Sequence, residues 1–209
     1  MTTTTTGTAS TTTAPTTGAP VTTAATTGAG TAAPTAATGA QGAAQSAPHG
    51  ALAPEHPPRL AFAELHPEFY KAMTRLEIAA AKHVDPTLYE LVKIRASQIN
   101  NCAFCLDMHT KDALAAGESV QRIVQLAAWR ESRHFYTERE LAALALTEAV
   151  TVLTDGFVPD EVYAEAARHF DETSLAHVIG AIIAINSWNR IAVTCRFTPG
   201  HYTPGGSRR

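Results

Sequence analysis

The sequence predicts an all-α domain preceded by a disordered N-terminal segment. Three observations carry that prediction. From about Arg59 onward the apolar residues recur at helical spacing, and no alternating stretch is long enough for a strand. Helix-start signals recur along the same region, at Asp85-Pro86, Ser119, Thr137 with Glu140, and Pro159 with Asp160 and Glu161. All 16 Lys and Arg and all 19 Asp and Glu lie after residue 54.

Residues 1–54 are mostly Thr, Ala, Gly and Pro, with no aromatics and almost no large aliphatics. Such a segment cannot bury enough apolar surface to offset its ordering entropy, so it is expected to be disordered. It has neither the basic start nor the apolar run of a secretory signal. The helical domain is expected over 55–196, followed by a flexible tail, 197–209, rich in Gly and Pro with a basic end.

About six or seven helices are expected. Pro67 suits the first turn of a helix to His83, with Phe69, Met73, Leu76, Ile78 and Ala80 as its apolar positions. Asp85 caps a second helix through Ile99, with Pro86 at its first position. A third begins near Cys102, capped by Asn100 or Asn101, and stops at Gly117. Ser119 caps a fourth, with Ile123, Leu126 and Ala127 as its stripe. Thr137 and Glu140 form a capping box, flanked by Tyr136 and Leu141 as a hydrophobic staple, for a helix to about Thr154 that Gly156 ends. Pro159 opens the next. Thr173 or Ser174 caps a long last helix to about Val193, apolar almost all round and so buried on most sides.

Net charge is −3, which carries no nucleic-acid footprint. The longest apolar run, Val178 to Ile185, falls short of the ~18 residues a membrane span needs. Three cysteines, two of them in a CxxC, fit a reducing cytoplasm better than a disulfide-stapled exterior.

The chemistry concentrates in Cys102-Ala103-Phe104-Cys105-Leu106-Asp107-Met108-His109. On a helix, Cys102 and Cys105 are i,i+3 neighbours and Cys105 and His109 are i,i+4 neighbours, so all three share one face. A helix N-terminus favours thiolate over thiol, and two thiols at this spacing can close into a disulfide. The stretch reads as redox dithiol chemistry with His109 as proton carrier. Haem attachment is excluded because Leu106 follows the second Cys. A zinc site from two Cys and one His would need a fourth ligand from elsewhere, and a pair of inert core cysteines is the plain alternative. Cys195, His134 and His177 have no spacing relation to the motif and are expected to be structural. Trp188, Asn189 and Arg190 are expected to serve packing and subunit contacts.

The run Leu91-Val92-Lys93-Ile94-Arg95-Ala96-Ser97-Gln98-Ile99-Asn100-Asn101 and on through Ala113 closely resembles the core of the alkylhydroperoxidase AhpD-like family, within the carboxymuconolactone decarboxylase superfamily. The likeness continues through Thr137–Glu140, Leu146–Ala149 and Ile185–Arg190, covering roughly 60–195. Glu90, Cys102, Cys105 and His109 fit the family's Glu-x11-Cys-x2-Cys-x3-His motif position for position. The resemblance implies an all-helical fold that assembles as homotrimers or homohexamers. It implies a peroxidase, using no cofactor, whose disulfide is re-reduced by a lipoyl adaptor or a thioredoxin-like protein. It implies that Cys105 attacks the hydroperoxide, that Cys102 resolves, and that Glu90 and His109 relay protons. A thiol–disulfide oxidoreductase or redox sensor of the same fold is the alternative. The chain departs from the best-studied members at Phe104, where they carry a His between the cysteines. The decarboxylase branch lacks the CxxC pair, so the pair argues against lactone decarboxylation.

Overall fold

A computed structural model describes residues 53–205. The low-complexity segment therefore lies outside the described residues, apart from its last two, as do residues 206–209. Among the described residues there are eight α-helices and no strand: α1 (Phe62–Leu65), α2 (Pro67–Ala81), α3 (Pro86–Ile99), α4 (Ala103–Ala115), α5 (Val120–Gln125), α6 (Glu138–Thr151), α7 (Asp160–His169) and α8 (Glu172–Cys195). Two short 3-10 turns, Leu126–Ala128 and Arg133–Phe135, link α5 to α6. The all-α expectation holds, with the single turn α1 as the helix the sequence did not signal.

Helices α3 and α8 form the centre. α3 packs against α4, α6 and α8, and α8 packs additionally against α2. Leu91, Val92 and Ile94 of α3 and Ile182 and Ile185 of α8 are fully buried, and each such side chain contributes about 1.5–3 kcal/mol of hydrophobic stabilisation. By length and composition α8 could cross a membrane, with a mean hydropathy of 1.4, but 56% of that window is buried inside the domain. Its apolar character is that of a core helix packed on several sides.

The caps explain where the helices stop. Asp85 accepts from the Leu88 N–H at 3.0 Å, and Ser119 from Gln121 at 3.2 Å. The Thr137–Glu140 capping box is complete in both directions, and the staple residues Tyr136 and Leu141 are buried in one cluster. Three expectations are corrected. The cap of α8 is Asp171, whose side chain accepts from the Ser174 N–H at 2.7 Å, because a carboxylate at the N-cap outcompetes Thr173 or Ser174 one turn in. α6 ends at Thr151, three residues early, and the chain then turns through Gly156 and Phe157, both at positive φ. On α2 the buried line is Met73, Glu77 and Ala80, while Phe69, Leu76 and Ile78 are exposed.

The segment after α8 does not leave the domain as a free tail. Arg196 adopts a left-handed conformation (φ 55°) and Phe197 N–H bonds back to the Ala192 carbonyl at 2.9 Å, closing the helix in a Schellman turn. Residues 197–202 then run along α4. Phe197 stacks edge-on against Phe104, Lys111 donates to the carbonyls of Gly200 and Tyr202, and the Tyr202 hydroxyl donates to Asp112 at 2.6 Å.

Candidate active site

The α3–α4 junction creates the site. Asn101 sits at φ 52°, a conformation Asn tolerates better than most side chains, and its N–H bonds to the Gln98 carbonyl while that of Cys102 bonds to Ser97 at 2.9 Å. That is a second Schellman turn. It closes α3 and sets Cys102 at once as the N-cap of α4. Neither Asn100 nor Asn101 caps α4, as had been expected. Asn100 is the last residue of the α3 turn, and Asn101 supplies the left-handed step.

A cysteine therefore stands at the N-cap position of α4, although its side chain makes no capping hydrogen bond. The Cys102 thiol is held below its ordinary range. The Cys105 S–H donates to it, burial works in the opposite direction, and the backbone N–H groups of Cys105 and Phe104 and the Asn189 amide assist. Cys105 is pushed up, because it donates to Cys102 and is itself buried. The two sulfurs are not bonded, and their residues are 1% and 2% exposed.

His109, one turn after Cys105, is 2% exposed. Its Nδ1 lies 3.0 Å from Glu90 Oε2. Burial pushes its pKa down and the Lys93 charge adds to this, while the Glu90 hydrogen bond opposes both. A neutral imidazole that donates from Nδ1 to Glu90 has Nε2 as its basic atom. The structure thus brings Glu90 to His109 and Cys102 to Cys105, with His109 and Cys105 on the same helix.

Three more residues belong to the site. Lys93 Nζ lies 2.7 Å from Glu77 Oε1 and 3.7 Å from Glu90 Oε1, so Glu90 faces a histidine with one oxygen and an ammonium with the other. Asn189, expected to serve packing, is buried beside the cysteine pair, and its amide favours the thiolate form of both. It is fixed by donating to Ser97 Oγ at 3.0 Å and accepting from Asn100 at 2.9 Å. No spacing rule could connect Glu77 or Asn189 to the CxxC, since they arrive from α2 and α8. Lys93 was visible only as an i,i+3 neighbour of Glu90.

Among the described residues, the group that could hold a cation is Glu90, His109 and Asp112, with ligand atoms within 4.8 Å of one another. The cysteines are not part of it. Its carboxylates already have protein partners, Lys93 on Glu90 and Tyr202 on Asp112, so the donor set is occupied by charges and protons of the chain itself. A small cleft between α3 and α4, lined by Pro86, Thr87, Glu90, Leu91, Ala113, Ala116 and Glu118, includes Glu90 in its wall.

Residues 67–149 match the carboxymuconolactone decarboxylase family. The uncharacterized protein YdfG of Bacillus subtilis (strain 168) is 44% identical over 136 residues, spanning 65% of this chain and 92% of YdfG. The alkyl hydroperoxide reductase AhpD of Rhodopseudomonas palustris (strain BisB18) is 37% identical over 78 residues, 36% of this chain and 43% of that protein. Among solved structures, a protein of unknown function from Agrobacterium tumefaciens, regarded as a candidate antioxidant defence protein AhpD, superimposes with a TM-score of 0.67 at 38% identity. The match covers 70% of this chain and all of that one.

Proposed function

The chain belongs to the carboxymuconolactone decarboxylase family, and from that membership we propose that it is a dithiol peroxidase of the AhpD type. It reduces organic hydroperoxides or hydrogen peroxide by cycling Cys102 and Cys105 between dithiol and disulfide. The observation that carries the reading is the buried pair of free cysteines at a helix N-terminus, one turn from a histidine held by a carboxylate.

The steps balance as follows. One thiol proton passes to His109, and the proton between the sulfurs shifts to Cys102, leaving the thiolate on Cys105. Cys105 attacks the outer peroxide oxygen, the O–O bond breaks, and Cys105 becomes a sulfenic acid. The departing alkoxide takes the proton from His109 and leaves as alcohol. His109 then accepts the Cys102 proton, Cys102 attacks the sulfenic sulfur, and the released hydroxide leaves as water with that proton. A protein dithiol returns the disulfide to two thiols. The exposed Ile78 on α2 and Ile183 and Val193 on α8 support assembly with further copies of the chain.

One observation favours a second reading. The thiol held below its ordinary range is Cys102, at the N-cap of α4, and this suits attack on a partner's disulfide in a thiol–disulfide oxidoreductase or sensor. Stopped-flow consumption of cumene hydroperoxide by pre-reduced protein separates the two. Fast consumption, abolished in Cys105→Ser and arrested at a sulfenic acid in Cys102→Ser, is expected. A rate no faster than that of a free thiol, with rapid disulfide exchange retained, would leave the oxidoreductase.

A further inference from the structure

One buried charge takes no part in the sulfur chemistry described so far. Lys93 is 3% exposed, and its partner Glu77 is 8% exposed. The ammonium lies 2.7 Å from Glu77 Oε1 and 4.1 Å from the centroid of the Tyr89 ring, and the Tyr89 hydroxyl donates to the same Glu77 oxygen at 2.9 Å. The other Glu77 oxygen, Oε2, is buried without a hydrogen-bond partner. Taking both ions out of water is costly, and apolar side chains of similar size often stabilise a core as well or better. An orphaned carboxylate oxygen adds to that cost. Stability alone does not account for the pair.

Its position does. Lys93 Nζ is 3.7 Å from Glu90 Oε1, the oxygen next to the one that holds His109. Its field reaches both His109 and Cys105. The other charged or titratable groups facing this point are Glu77 from α2, Tyr89 and Glu90 from α3, and Asp112, Cys105 and His109 from α4. Lys93 is the cation among them.

We propose that Lys93, anchored by Glu77, is a positioning residue for the dithiol: it holds the Glu90 carboxylate against His109 and stabilises negative charge as it arrives on Cys105. The inference deepens the dithiol reading and does not depend on peroxide being the oxidant. A buried cation beside the site favours the thiolate and opposes a proton on His109. The acid behind it partly offsets this, and the nearer Lys93 acts on His109 more strongly than Glu77 does. Removing the pair as a unit therefore moves both groups in the same direction as removing Lys93 alone.

The test uses the full chain as Lys93→Met, as the double variant Glu77→Gln with Lys93→Met, and as Lys93→Arg. The double variant leaves no unpaired buried charge. Two titrations are followed, the ultraviolet absorbance of the thiolate and the NMR shift of His109, with circular dichroism to establish folding. The thiolate midpoint is expected to rise by about one pH unit in the neutral variants, the His109 midpoint to leave its wild-type value as Glu90 loses its anchor, and both to stay near wild type in Lys93→Arg. Wild-type midpoints in a folded neutral variant would overturn the proposal. So would failure of both neutral variants to fold, since that makes the pair structural. Shifted midpoints in a protein that does not turn over peroxide would reject the peroxidase and leave Lys93 its role. Unshifted midpoints beside normal turnover would do the reverse.

Discussion

Cys102 serves two helices at once, closing α3 as the residue after Asn101 and opening α4 as its N-cap. Its thiol is held below the ordinary range by the Cys105 thiol first, with burial opposing and the backbone N–H groups of Cys105 and Phe104 and the Asn189 amide assisting. Asn189→Leu removes the amide donor and leaves Ser97 without its partner. The substitution is expected to raise the thiolate midpoint and to cost about 1–3 kcal/mol of stability, read by absorbance titration and urea unfolding. An unchanged midpoint would show that the amide only packs. At this scale the pairing of Cys102 with Cys105 and of His109 with Glu90 was legible, because the two cysteines lie three residues apart and Glu90 and His109 fit one spaced motif. Glu77 and Asn189 were not. Each lies on a different helix from the cysteines, and only the packing of α8 on α3, and of α2 on α8, brings them in.

Among the elements, the α3–α4 turn decides whether the site exists. Asn101 at φ 52° has a sharp mutational signature. Asn101→Gly keeps the left-handed step and is expected to leave stability unchanged or slightly improved. Asn101→Val forces a branched side chain into that region and is expected to cost about 1–2 kcal/mol. Equal stability of the two variants in thermal melts would contradict the turn. The strap along α4 is held chiefly by Lys111, which reaches two of its carbonyls as well as Asp107. Lys111→Met is expected to speed amide hydrogen exchange over residues 198–202 without altering exchange in α3. The capping signals of α3, α5 and α6 could be read because local side chains decide them. The strap could not, because its partners lie about 90 residues back along the chain and nothing in a Gly- and Pro-rich sequence announces them.

The whole domain is organised so that two central helices carry buried polar groups into a largely apolar core, and that has a pH consequence. His109 has a folded pKa below its ordinary 6.5, burial being the main cause. The unfolded chain therefore binds a proton there before the folded protein does, so stability present above about pH 6.5 is lost as pH falls through that window. Glu77 and Glu148 are also lowered from 4.5. Burial pushes each up, but Lys93 and Tyr89 more than offset it for Glu77, as Trp129, Arg130 and Arg95 do for Glu148. Their contribution is lost further down, as pH falls below the ordinary carboxylate range. The urea midpoint is expected to fall between pH 7 and 5.5, and His109→Gln to flatten that first decline. An equal decline in the variant would assign it to other groups. The most direct test of the dithiol peroxidase is a stoichiometric one. Pre-reduced protein is mixed with a single equivalent of cumene hydroperoxide, remaining thiols are counted by mass after alkylation, and the new bond is located by peptide mapping. The account predicts that two thiols vanish per peroxide, joined as Cys102–Cys105, with Cys195 still free. Unconsumed peroxide, or a disulfide that includes Cys195 or links two chains in place of Cys102–Cys105, would contradict it.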